Sequence, residues 1–150
     1  MLLLWKTYLR PILEYASQVW NNSYHAQRLE LIQRRFTKKI GGLREVPYEN
    51  RLSKLELPTL STRRLYLDLK FTHKLLQNKL NVSPRDLGVN FLVSRTRGNG
   101  ISLMVNRPKT AILAKNFAFR IPKQWNSLPN SLRTCDSHNS FILRLRNKLF

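Results

Sequence analysis

Apolar residues in this chain return every three or four positions, and that spacing restricts it to helices over most of its length. The pattern is clearest at the start, where Trp5, Tyr8, Leu9, Ile12, Leu13, Ala16, Val19 and Trp20 share one face and Lys6, Arg10, Glu14 and Gln18 the other. Pro11 lies inside this helix; its missing N–H and its ring predict a kink or a restart there. After Asn21-Asn22-Ser23 a second helix is expected to about Ile40, burying Ala26, Leu29, Ile32, Phe36 and Ile40 and ending at Gly41-Gly42. Its other side carries Arg28, Arg34, Arg35, Lys38 and Lys39.

A shorter helix from Pro47 to Leu55 groups Tyr48, Leu52 and Leu55, and Pro58 stops it. Thr59 or Ser61 can cap the next, expected to reach about Leu80. There Leu65, Leu67, Leu69 and Phe71 alternate as in a strand, but the length and the scarcity of β-branched residues favour a helix, apolar on several sides and therefore central. Ser83-Pro84 begins a turn. Farther on, the run from Ile101 to Val105 suits one short strand or hairpin. Thr110 is expected to cap a helix carrying Phe117, Ile121, Trp125 and Leu128, interrupted at Pro122, and Ser137 to cap a last one with Phe141, Leu145 and Leu149. The expected fold is mainly α: a helical bundle over 1–87, a basic glycine-containing linker or short strand over 88–110, and a helical extension over 111–150.

Lys and Arg number 27 against 8 acids, a formal charge of +19, and this favours a polyanionic partner. After Asp86 the only acid is Asp136. The run Arg34-Arg35-Phe36-Thr37-Lys38-Lys39 places four cations on about two helical turns, able to meet successive backbone phosphates without reading sequence. Arg95, Arg97, Arg107 and Lys109 form a second cluster on a glycine-containing segment, able to adapt to a backbone or to folded RNA. Trp5, Trp20 and Trp125 fall on apolar stripes and are expected to pack in cores, not to stack on bases.

Other chemistries are poorly provided for. Asp68, Asp86 and Asp136 are isolated, and Glu14 and Glu30 are expected to be solvated or paired surface acids, so no two-metal site is expected. Cys135 is the single cysteine, which excludes an internal disulfide and any zinc site built on two thiolates. Nucleophilic catalysis would need it or a serine near one of His25, His73 and His138, each held by an orienting acid, and its proximity to His138 reads as chance. Gly41-Gly42 and Gly98-Asn99-Gly100 lack the strand-to-helix context of a phosphate-cradling loop. Lys6 breaks the apolar start well short of a secretory signal, and no run approaches the roughly 20 apolar residues of a membrane span. The chain is therefore expected to be intracellular, with no cofactor, no membrane partner and no small-molecule ligand.

Several strings together resemble the reverse transcriptases of non-LTR (LINE-type) retrotransposons, particularly the jockey-like group, in the region downstream of the polymerase palm. They are Tyr8-Leu9-Arg10-Pro11-Ile12-Leu13-Glu14-Tyr15-Ala16-Ser17 with Val19-Trp20, then Ile32-Gln33-Arg34-Arg35-Phe36-Thr37-Lys38-Lys39-Ile40, then Tyr48-Glu49-Asn50-Arg51-Leu52 and Leu57-Pro58-Thr59-Leu60. The same order continues through Arg63-Arg64-Leu65, Asp68-Leu69, Thr96-Arg97-Gly98, Lys115-Asn116-Phe117, Trp125-Asn126-Ser127-Leu128-Pro129 and Ser140-Phe141 with Leu145. Pro122 and Glu56 depart from the family pattern.

The resemblance implies that 1–87 is similar to the thumb and adjoining helices, which hold template and primer, and that the rest is the family's C-terminal extension. It implies a fragment without the palm's catalytic aspartates, hence not itself an enzyme, whose partners are RNA or DNA backbone and a reverse transcriptase palm in trans. The alternatives are a helical protein-interaction module that docks on a palm or other partner, and a degenerate fragment with no selected function.

Overall fold

A computed structural model describes residues 1–21, 23–92 and 101–150. The described chain is mainly helical with one small two-stranded antiparallel sheet, the mainly-α fold with a short hairpin that the periodicity implies. It divides into two compact units, Met1–Leu65 and Tyr66–Phe150.

The first unit opens with α1 (Leu2–Leu4), a π turn (Trp5–Leu9) and α2 (Arg10–Glu14), followed by α3 (Ser17–Trp20), α4 (Ser23–Lys38), α5 (Tyr48–Leu55) and the start of α6 (Leu60–Leu76). The π turn answers the problem set by Pro11. Arg10 N–H donates to Trp5 C=O, five residues back, and the widened turn precedes the proline, which takes a first-turn position in α2. A π turn advances fewer degrees per residue than an α turn, so Tyr8 and Ile12 rotate away from the line of Trp5 and Leu13. The expected single buried face is therefore not formed. Trp5 is fully buried, but Tyr8, Ile12 and Val19 are 68%, 72% and 87% exposed. Ala16, at φ 50°, separates α3 from α2.

Trp5, Tyr48, Leu52, Leu57 and Leu60 form this unit's core, with Leu2, Leu13, Leu29, Phe36 and Leu55 packed against it. The Trp5 and Phe36 rings lie 4.7 Å apart. On α4 the buried positions Gln33 and Thr37 replace the expected Ile32, which is 45% exposed. Both polar residues are satisfied inside: Gln33 Nε2 donates to Tyr48 Oη and to Pro58 C=O, each at 3.0 Å, and Thr37 Oγ1 donates to Gln33 C=O at 3.0 Å. Helix α5 ends at Glu56 in the left-handed conformation, with Leu57 N–H returning to Leu52 C=O.

Thr59 caps α6, its Oγ1 accepting from Thr62 N–H at 3.1 Å. The helix stops at Leu76, four residues before the expected Leu80, because Asn78 adopts φ 53° and Lys79 N–H reaches back to Lys74 C=O. It is buried on several sides, through Leu69, Leu75, Tyr66, Asp68, Thr72 and His73 in the second unit.

The rest of that unit comprises β1 (Phe91–Leu92), β2 (Ser102–Leu103), a 3₁₀ turn (Leu113–Lys115), α7 (Phe117–Asn126), α8 (Asn130–Arg133) and α9 (His138–Leu149). The strands pair Phe91 with Leu103 and Leu92 with Ser102. Thr110 caps only the 3₁₀ turn, and Asn116 caps α7 through Ala118 N–H. Pro122 is buried within α7 and does not interrupt it. Ser137 caps α9 as expected, accepting from Ser140 N–H. Ile121, Trp125, Phe141 and Leu145 are almost fully buried, and the Phe71 and Phe117 rings meet edge to face at 5.6 Å.

Candidate nucleic-acid interface

Helix α4 ends at Lys38, and the chain reverses over Gly41-Gly42, where Gly42 takes φ 75°. Leu43 is buried as it leaves the turn, so Arg44 comes back beside the last turns of α4. The result is a recess of about 480 Å³ lined by Arg34, Arg35, Lys38, Arg44, Tyr48 and Arg51, among others. A second, open recess adjoins it along Arg35, Lys38, Lys39, Gly41, Gly42 and Arg44. All four cations singled out on α4 thus meet on one surface. Arg44, hidden from a reading of local spacing because a glycine turn separates it from them, joins the group.

Acids neutralise this surface little. Glu49 Oε1 lies 3.9 Å from Arg34 Nη2 and Glu45 Oε1 3.7 Å from Arg44 Nε, with all four side chains at least half exposed, where such pairs contribute little. Arg34 is also held over the Tyr48 ring, its guanidinium carbon 4.6 Å from the centroid. Arg35, Lys38 and Lys39 are exposed.

Beneath them Arg51 is 2% exposed. Its Nε donates to Thr37 Oγ1 at 3.1 Å, Nη1 to Val46 C=O at 2.6 Å and Nη2 to Arg34 C=O at 3.4 Å. It joins the end of α4, the returning loop and α5, and so holds the recess in shape. Tyr48 completes the support by donating its hydroxyl to Glu30, which also accepts from Leu60 N–H at 3.0 Å. Burial, then that bond to Glu30, pushes the Tyr48 hydroxyl well above its ordinary pKa.

Of the second cluster, Arg107 and Lys109 are exposed in the segment after β2, and Arg95 and Arg97 lie outside the described residues. Trp5 and Trp125 are core residues, and Trp125 Nε1 donates to Ile101 C=O at 2.9 Å.

Glu14 and Asp68 serve structure. Glu14 accepts two bonds from Arg63, at 2.8 and 2.9 Å, and is only 10% exposed, so it is paired but drawn inward from the surface position expected for it. Asp68, 1% exposed, receives Nε and Nη2 of Arg120 at 3.1 and 3.0 Å. Among the described residues no three His, Cys, Asp or Glu side chains converge as a metal site would need, and no helix is long and apolar enough to cross a membrane. The Cys135 thiol turns to Ser137 C=O, and the His138 ring meets His73.

Compared with models of known protein families, with curated proteins and with solved structures, the chain matches none.

Proposed function

We propose that this chain is the thumb-like and downstream part of a non-LTR retrotransposon reverse transcriptase, and that it holds the backbone of RNA or DNA without reading sequence and without catalysis. The observation that carries this reading is the meeting of Arg34, Arg35, Lys38, Lys39 and Arg44 around two adjoining recesses with only weakly paired acids. Cations so grouped displace counterions from a phosphate backbone, and such contacts position a strand. The resemblance supplies the identity of the strand: a template and primer held beside a palm that carries the catalytic aspartates.

Filter binding to duplex across salt tests it. Contacts with several phosphates give a log-log slope of about −0.9 for each. Neutralising Arg35, Lys38, Lys39 and Arg44 together should flatten that slope by about two or more phosphate equivalents. A wild-type response that is already flat contradicts the reading.

A second reading has its own observation. Leu4, Tyr8, Ile12, Tyr15 and Val19 are 51% to 87% exposed, an unusual number of large apolar side chains on one short segment, and such surface suits a protein-interaction module. Light scattering after size exclusion separates the two, since a monomer at high concentration that recruits no protein argues against docking.

A further inference from the structure

The recess bounded by the end of α4, the returning loop and the start of α5 holds more positive charge than a nucleic-acid backbone crossing it can balance. Among the described residues its lining has five basic side chains and one acid, Glu45. Glu45 is 93% exposed and Glu49, beside Arg34, 76%, so water screens both. The fifth basic residue is Arg51, buried to all but 2%. Its partners among the described residues are neutral: Thr37 Oγ1, the carbonyls of Val46 and Arg34, and the Tyr48 ring, whose centroid lies 5.5 Å from its guanidinium carbon. The Arg34 guanidinium lies over the same ring. A buried charge that no opposite charge offsets is costly, and its field is screened less than that of a solvated lysine. The recess thus lies against a fixed cation, with four exposed cations around it.

A space of about 480 Å³ is about 8 Å across, and a strand, with one charge per about 3.4 Å of helix axis, brings about two charges into it. A phosphate monoester carries about −1.5 to −2 by itself and offers three strong acceptor oxygens. Together with the phosphodiester next to it, a terminal phosphate therefore brings about three charges into the same space. We propose that this recess seats a phosphate monoester, which a nucleic-acid strand carries at its phosphorylated end, and that the strand leaves along the open recess beside Lys39. The proposal rests on the reading of the chain as a nucleic-acid binder, and adds to it a preference for the end of a strand over its interior. The same group also terminates a free nucleotide, and the test separates the two sources.

The test compares a 12-nucleotide single strand bearing a 5′-hydroxyl, a 5′-phosphate, a 3′-phosphate or a 5′-methyl phosphate, at fixed salt and across salt, with adenosine monophosphate as a further arm. Wild-type protein is expected to bind a phosphorylated end about tenfold more tightly than a hydroxyl end, the gain of one charge-assisted contact. The methyl ester keeps the phosphate but loses its second charge, and should lie within about twofold of the hydroxyl. Arg34→Gln combined with Arg44→Gln should bring the ratio near one, and Arg44→Gln alone, at a side chain 87% exposed, should already lower it. Lys39→Gln, in the open recess only, should weaken all strands alike and leave the ratio. Monophosphate binding that the double variant abolishes, without a preference among the strands, assigns the monoester to a free nucleotide. Equal binding of all ends with no monophosphate binding overturns the proposal even where the salt slope upholds backbone binding. A methyl phosphate end held as tightly as the free phosphate, or a preference that survives the double variant, overturns it too. A flat salt response with no end preference overturns both readings.

Discussion

The Nδ1 atoms of His73 and His138 lie 3.0 Å apart, and this contact fixes both tautomers. His73 Nε2 faces Cys135 C=O at 2.8 Å and must carry a hydrogen, because a carbonyl only accepts. Neutral His73 then accepts at Nδ1, and His138 donates its Nδ1–H. The lone pair left at His138 Nε2 is buried, with no partner among the described residues. A further proton on His73 would set two N–H groups face to face. One on His138 would enter a buried site near Lys70, Lys74 and Lys79. Burial accordingly pulls His73 below its usual pKa. His138 is lowered to about 4, by burial first, then by His73 and the three lysines.

The unfolded histidines titrate near 6.5. Between that pH and about 4 the unfolded chain binds protons that the folded chain refuses, so the stability from this pair is complete above the window and is lost as pH falls through it. Thermal melts should show a fall of about 5 °C or more between pH 7.5 and 4.5. His138→Asn places an amide N–H where Nδ1–H was and removes one titrating group, so its melting temperature should fall less steeply. A slope parallel to wild type would contradict this account.

Asp68 and Arg120 form a buried, doubly bonded ion pair in the second unit. Removing one partner strands the other charge in a low-dielectric setting, at a cost of about 3–5 kcal/mol. Asp68→Ala and Arg120→Met should each destabilise the chain by about that much in urea titrations. The double variant should be milder than the sum of the two, because replacing both charges with apolar groups removes the desolvation penalty as well. Strict additivity would mean that the pair contributes no coupling.

Arg51 depends on its shape as well as its charge. Three separate acceptors, Thr37 Oγ1, Val46 C=O and Arg34 C=O, use Nε, Nη1 and Nη2 in one plane. A lysine ammonium cannot reach all three positions. Arg51→Lys should therefore fail to restore stability lost in Arg51→Met, with both variants about 2–3 kcal/mol below wild type. Hydrogen exchange should rise at Leu43 to Val46, the loop that Arg51 holds. Full rescue by lysine would show that charge alone suffices.

The helices were legible in the sequence because apolar spacing is local, and so were the caps at Thr59 and Ser137, where one side chain meets a backbone N–H three residues on. Which face turns inward was less legible. Gln33 and Thr37 displace Ile32 from the interior of α4 because Tyr48, Pro58 and Gln33 itself offer them partners, and an apolar count does not register partners. Tyr8 and Ile12 are exposed because one hydrogen bond at Arg10 shifts from four residues back to five. For the interface, the run Arg34 to Lys39 was visible as a cluster. Arg44 and Arg51 enter only through the reversal at Gly42, and no local pattern announces them.

Asn126 acts as the missing neighbour of a two-residue strand. Its Oδ1 accepts from Leu103 N–H at 2.9 Å and its Nδ2 donates to Leu103 C=O at 2.8 Å, on the edge of β2 away from β1. Leu103 is fully buried, so water cannot readily replace these bonds. Asn126→Ala leaves one donor and one acceptor unpaired, a loss of about 2–4 kcal/mol. Asn126→Asp should be no better, since it keeps the acceptor for Leu103 N–H but sets a carboxylate oxygen against Leu103 C=O. Exchange of the Leu103 amide distinguishes this clamp from general loosening: its protection should collapse in Asn126→Ala while that of Phe141 and Leu145, in the middle of α9, falls only by the change in global stability. Equal loss at all three amides would show that Asn126 stabilises the unit as a whole and has no special hold on β2.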